Sequence, residues 1–187
     1  MGRLSVAWRA ATVTTHIMLD IETLGVRPGA VILSAAFVRF DDLASCVAVL
    51  DIHEQLALGM EVEPATHTWW GTQDPASWAA ATQNPNPVRA VAEYFTTWLK
   101  WAAPADALIW CHGAGFDAPL LQELYRRLGI ACPWEFWTVR DTRTLYDLAG
   151  VTVERTGRPH VALDDAIAQT HAAIAALKIL STARVTA

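Results

Sequence analysis

Residues 17–25 read IMLDIETLG. An apolar run stops on one acid, and a second acid follows two positions later. In an extended chain alternate side chains point to the same face, so Asp20 and Glu22 lie side by side. Two carboxylates at that spacing repel each other, and a divalent cation is the natural compensation. Asp-x-Glu alone is common and by itself reads more readily as a solvated turn than as a metal site. A metal site requires further ligands from elsewhere in the chain.

Outward from this stretch, the pattern predicts a strand at 16–19 and a loop at 21–30 punctuated by Gly25, Pro28 and Gly29. VILSAAFVRF (31–40) is a nearly continuous apolar run, as expected of a strand covered on both faces. DDLA then turns the chain into a third strand at 45–52. Short helices are expected across 53–87. Pro87 opens a helix to about residue 102, with Val91, Tyr94, Phe95, Trp98 and Leu99 on one face. ALIWC (107–111) is a short buried strand, and 116–128 is a helix closed by Gly129. A last strand is expected at 138–141 and a short helix at 143–150. A long helix follows at 162–180, with Leu163, Ile167, Thr170, Ile174 and Leu177 at helical spacing. Three strands followed by alternating helices and strands predict an α/β fold: a mixed sheet of about five strands flanked by helices, in one domain spanning 15–182. Residues 1–14 lack periodicity and read as a flexible extension.

The bulk properties narrow the function classes. A chain of 187 residues with 53% hydrophobic and 18% charged residues builds a packed core and is not disordered. No apolar run reaches the ~18–20 residues of a membrane span. Thr12, Thr14, Thr15 and His16 interrupt any apolar leader, so no signal peptide is read. The 3 cysteines are odd in number and form no CxxC, against both a disulfide framework and a zinc site. A reducing cytoplasm is the expected setting. The net charge of −5 is not the basic footprint of a nucleic-acid binder. Carboxylates that hold metal would make that formal count misleading.

Two more motifs supply the missing ligands. HGAGFD (112–117) follows the ALIWC strand and puts Asp117 at the start of a helix. RPHVALDDA (158–166) opens the last long helix, with His160 before Asp165. In an open α/β sheet, strand ends and helix starts gather at one edge. Asp20, Glu22, Asp117, Asp165 and the His160 imidazole can therefore meet there. Asp164 lies about 100° round the helix from Asp165 and reads as a solvated first-turn acid. The other histidines read as structural.

In this order and context the three motifs resemble those of the DEDDh branch of the DnaQ-like (ribonuclease T-like) 3′–5′ exonucleases. That branch is built on the ribonuclease H-like fold. DIETLG carries Asp20 and Glu22, HGAGFD carries Asp117, and HVALDD carries His160 and Asp165. LDIETLGVRPGAVILSAAFVRFD, TWWGTQ and VRDTRTL are further similar to an exonuclease VIII-like phage and bacterial subgroup. His112-Gly113 stands where many such enzymes have Asn before the second Asp.

The resemblance implies hydrolysis of DNA or RNA from a free 3′ end, releasing nucleoside 5′-monophosphates. It implies two divalent ions, Mg²⁺ or Mn²⁺, with Asp20 bridging both. Glu22 and Asp165 would complete the first, and Asp117 would help hold the second. His160 would be the general base, for which an imidazole pKa of ~6.5 is suited. Thr23, Leu24 and Phe116 are expected at the terminal nucleotide. Of Trp69 and Trp70, either can stack a base or pack in the core; Trp70 is counted among the substrate contacts. Arg143, like Arg140, either meets phosphate or pairs with Asp141 and Asp147. A homodimer is compatible with the resemblance, and exposed Trp within 53–87 would suit its interface. The competing expectation is a catalytically silent nucleic-acid-binding or structural module on the same fold. An intact set of catalytic residue types speaks against it. DNA or RNA stays open, because contacts to the 2′-OH are not legible in sequence.

Overall fold

Strand β1 (Thr15–Thr23) sits at the centre of a five-stranded sheet ordered β3-β2-β1-β4-β5. The computed structural model describes residues 14–103 and 107–185, so the expected extension 1–14 lies, but for Thr14, outside the described residues. β1 runs antiparallel to β2 (Ile32–Arg39), which is antiparallel to β3 (Ser45–Val49). On its other side β1 is parallel to β4 (Ala107–Cys111), and β4 is parallel to β5 (Val139–Asp141). The mixed sheet is the expected one. β2 is buried along its length except at Arg39, as a doubly covered apolar run demands.

Among the described residues seven α-helices flank the sheet: α1 (Ile52–Ala57), α2 (Pro64–Trp70), α3 (Pro75–Thr82), α4 (Val88–Ala102), α5 (Asp117–Leu128), α6 (Thr142–Ala149) and α7 (Ala162–Val185). Their ends are written in sequence. Asp51, Asp74 and Asp141 accept backbone N–H bonds as N-caps of α1, α3 and α6. Gly129 and Gly150 close α5 and α6 in the left-handed region. Asp51 also explains why β3 is shorter than the expected 45–52: the chain is already entering α1.

Alternation along β1 divides the interior in two. Ile17, Leu19 and Ile21 face one core with Phe37, Phe95, Leu120, Leu124 and Tyr125. Met18 faces a second core with Ala36, Val38, Trp110 and Tyr146, and this one is covered by α7. Asp20 and Glu22 continue the Met18 side, so the strand's own pleat delivers both acids toward α7.

Two expected helix faces differ from those observed. On α7 the fully covered residues are Ala162, Ala166, Thr170, Ala173 and Ala176, whereas Leu163, Ile167, Ile174 and Leu177 are only partly buried along its flanks. Methyl side chains let the helix approach the strands, and the larger residues close the seam on either side. On α4, Val91, Phe95 and Leu99 are buried but Tyr94 is 47% exposed. No helix among the described residues is long and apolar enough to cross a membrane.

The alanine face of α7 predicts sensitivity to bulk. Ala173 is fully buried, so Ala173→Leu should overpack the helix–sheet interface and cost about 1–3 kcal/mol. Urea denaturation measures this, and an unchanged midpoint would show that the interface has spare room.

Candidate active site

The four acids reach the cluster from three elements, Asp20 and Glu22 from β1, Asp117 from α5 and Asp165 from α7, and most are held by one named hydrogen bond. The amide of Ile21, between Asp20 and Glu22, donates to Asp117 Oδ1 at 3.2 Å. Asp117 opens α5, where the helix dipole favours a negative charge. The turn that delivers it leaves β4 at Cys111, which lies opposite Leu19 in the sheet. Gly113 makes that turn at φ +115°, a conformation suited to glycine. Ala114 N–H donates to Asp141 Oδ2 at 2.8 Å, tying the turn to the end of β5. His112 Nδ1 lies 3.1 Å from Thr142 Oγ1, so this histidine is structural.

Asp20 is held from the opposite direction. Gln169 Nε2 donates to its Oδ1 at 2.7 Å. Gln169 lies one helical turn beyond Asp165 on α7, on the same side of the helix. Sequence reasoning missed it, and that spacing was the available signal. Asp165 Oδ2 accepts the backbone N–H of His160 at 2.8 Å. His160 itself sits in the left-handed region at φ 59°, where the chain reverses into α7. Glu22, His160 and Asp165 place ligand atoms within 4.8 Å of one another. Asp20 and Asp117 are outside that tight group and lie buried beside it. Asp164 is turned away, as expected, and it braces the preceding loop, where its Oδ2 accepts Arg158 N–H at 2.8 Å. A Cβ on Gly157 would come within 2.7 Å of that carboxylate.

The electrostatics follow from burial and crowding. Burial, then Asp117 and Glu22, push the Asp20 carboxyl well above the usual range; the Gln169 bond opposes this. Burial, then Asp165 and Asp117, raise Glu22 to about 8. Burial raises Asp117 to about 7 against the Ile21 N–H bond and the charge of Arg143. A cation would relieve all three. The donors, carboxylate oxygens with one imidazole, are those that Mg²⁺ and Mn²⁺ accept. Gln169 Oε1 and Ser34 Oγ, the latter directly across from Glu22, are buried without a protein partner among the described residues. Such polar atoms suit a hydrated ion's shell. The residues present therefore fit a divalent metal.

Beside Glu22 opens a cleft of about 390 Å³ lined by Ile21, Thr23, Val26, Ala65, Thr66, Trp69 and Phe116. Of the expected substrate contacts, Thr23 and Phe116 line it. Leu24 does not: it is buried in the core with Ile21. Strict alternation would send Leu24 after Glu22, but the strand register shifts between Glu22 and Thr23. Nor does Trp70 present a face to the cleft. It is 3% exposed, and its indole N–H donates to Thr23 O at 2.8 Å. Its neighbour Trp69, 41% exposed, takes that place. Arg143 is exposed beside Gly113 and forms no ion pair among the described residues. Asp141 is engaged instead by Ala114 and Thr144. Arg140 donates to the carbonyls of Trp137 and Val139.

A family model described as the 3′-5′ exoribonuclease Rv2179c-like domain matches residues 15–177. The chain belongs to the Rv2179c-like exoribonuclease family. It is 24% identical over 158 residues to the exodeoxyribonuclease of Enterobacteria phage T4, covering 68% of each chain. Among solved structures it is similar to the nuclease domain of 3′hExo, a DEDDh family member bound to rAMP. There the TM-score is 0.57 and the identity 13%, over 90% of this chain and 94% of that one. It is also similar to E. coli exonuclease I with a 5cy-dT13 oligonucleotide, with TM-score 0.59 and 18% identity over 90% of this chain and 41% of that one. These structural likenesses establish the ribonuclease H-like fold of DEDDh exonucleases. The family makes the chain a 3′–5′ exonuclease.

The cluster generates two predictions. Free Asp and Glu titrate near ~4, so raised values mean that the folded metal-free protein holds more protons than the unfolded chain above that pH. Its stability should therefore fall as pH rises from about 4 to about 8. Thermal melts across that range in chelator test this; a flat profile would contradict the raised carboxyls. Mg²⁺ or Mn²⁺ at about 100 Kd should raise Tm by roughly 5–10 °C. Asp20→Asn should remove most of that rise, and an undiminished rise would exclude Asp20 as a ligand.

Proposed function

We propose that this exonuclease uses two divalent cations, Mg²⁺ or Mn²⁺, held by Asp20, Glu22, Asp117 and Asp165. On this reading it removes nucleoside 5′-monophosphates from the 3′ end of single-stranded RNA. The observation that carries the proposal is the convergence of Glu22, His160 and Asp165 within 4.8 Å, next to buried Asp20 and Asp117, at the mouth of an aromatic-walled cleft. Bound cations would supply positive charge to a phosphodiester and favour loss of a proton from the attacking water.

The chain's own residues do the rest. The terminal nucleoside enters between Trp69 and Phe116, with Thr23 at its base. Its 5′-phosphate then lies at the carboxylates. His160 accepts the proton of the water that attacks phosphorus. The bond from phosphorus to the upstream O3′ breaks, the upstream strand keeps a 3′-hydroxyl that takes a proton from solvent, and the released nucleotide keeps the 5′-phosphate. Arg143 would meet strand phosphates, a role that its exposure beside the turn carrying Asp117 supports. RNA is favoured by the family description; the phage relative's name favours DNA. Buried free thiols at Cys46 and Cys111 suit a cytoplasmic setting.

Matched RNA and DNA oligonucleotides, labelled at either end, decide this. A 3′ label should leave first as a mononucleotide, faster from RNA, with Mn²⁺ or Mg²⁺ and not in chelator. His160→Ala should lower kcat by ~10²–10⁴-fold with metal affinity kept. No release from either polymer by folded protein would favour the silent module.

A further inference from the structure

Trp69 and Trp70 are adjacent on α2, and adjacent helical residues point about 100° apart. Trp70 is consumed by the core and by Thr23 O. Trp69 faces outward, lines the cleft and packs edge-to-face against the His160 ring, with centroids 4.9 Å apart and planes at 82°. Trp70 lies farther from that ring, at 6.2 Å. The position of Trp69 is itself fixed. It meets Trp70 edge-on at 5.2 Å, and its carbonyl accepts bonds from Thr72 Oγ1 and Gln73 Nε2.

The His160 backbone is pinned by its N–H bond to Asp165 and, one residue earlier, by Ser77 Oγ donating to Pro159 O at 2.7 Å. Its imidazole is different: among the described residues no hydrogen bond orients the ring. A general base is usually oriented by a third group, and here the group in contact is an aromatic ring. Resting on the exonuclease reading of the site, we infer that Trp69 is a positioning residue for His160 and, through its exposed face, the stacking platform for the terminal base. Base docking and alignment of the general base thus depend on one side chain. A nucleotide seated on that face restrains the indole, and the indole restrains the imidazole.

The test compares Trp69→Leu and Trp69→Phe on two oligonucleotides, one ending in an ordinary 3′ nucleotide and one in an abasic 3′ nucleotide. Trp69→Leu should lower kcat about 10-fold on both, because misalignment of a reacting group is costly without any change in binding. KM should rise only on the substrate that carries a base. Trp69→Phe should recover most of both losses. In a His160→Ala background, Trp69→Leu should cost no further kcat. A kcat unchanged on the abasic substrate, or the same loss without His160, would overturn the positioning role. Circular dichroism and melting curves establish that each variant folds.

A readout independent of turnover separates this inference from the reading beneath it. The His160 imidazole proton resonance, identified by its loss in His160→Ala, should move in Trp69→Phe through the changed ring current. If wild-type protein releases no mononucleotide, the exonuclease reading fails whatever that resonance does. If it releases mononucleotides and the resonance stays fixed, the Trp69–His160 contact is refuted and the exonuclease stands.

Discussion

Mutual repulsion among buried carboxylates is the constraint around which this protein is organised. Asp20, Glu22 and Asp117 are each less than a tenth exposed, where water screens charge poorly. Left to local preference, such groups would separate. β1 prevents this because its ladder with β2 runs through both residues, Asp20 opposite Ala36 and Glu22 opposite Ser34, while β4 pairs the strand up to Leu19 just before them. α7 lies across the same face and brings Asp165 down onto Glu22, with Gln169 on Asp20. α5 is locked to the strand through the Ile21 amide. The destabilisation stored in these contacts is what a cation relieves, so the apo cluster is preorganised for binding.

The same logic reaches the loop that carries His160. Gly157, Asp164 and the left-handed backbone at His160 force a tight reversal before α7. Ser77 clamps that reversal to α3. The imidazole is thereby carried to the edge of the acid cluster by backbone geometry, while its ring is steadied by tryptophans from a different part of the chain. The stretch between β3 and α4 is therefore more than a connection: α2 walls the cleft and α3 holds the loop that carries His160.

Much of this was legible in sequence, for reasons that can be named. β1 and β2 announce themselves because an apolar run and its alternation determine pairing and face. That the four acids and His160 come together is legible because the motifs place them at strand ends and helix starts, which gather at one edge of such a sheet. Gln169 was not read, since a glutamine on a helix is ordinarily solvated and only its spacing from Asp165 hinted at the cluster. Trp70 was counted as the substrate contact and is instead the buried one of the pair, because which of two adjacent aromatic residues is buried depends on where α2 docks. Leu24 was expected at the terminal nucleotide because it follows the acidic pair, but the register shift after Glu22 turns it into the core. The α7 face was misjudged because hydrophobic size was taken as the guide to burial, whereas closeness to the sheet selects alanine.

The central claim is that the buried acids hold protons that a cation displaces. Isothermal titration with Mn²⁺ near pH 7, repeated in buffers of differing ionisation enthalpy, counts the protons released per ion bound. Release of about one proton or more is the expected result, because burial raises Glu22 to about 8 and Asp117 to about 7, and a metal requires both ionised. Binding heats that do not depend on the buffer, or no binding at all by the folded protein, would contradict it.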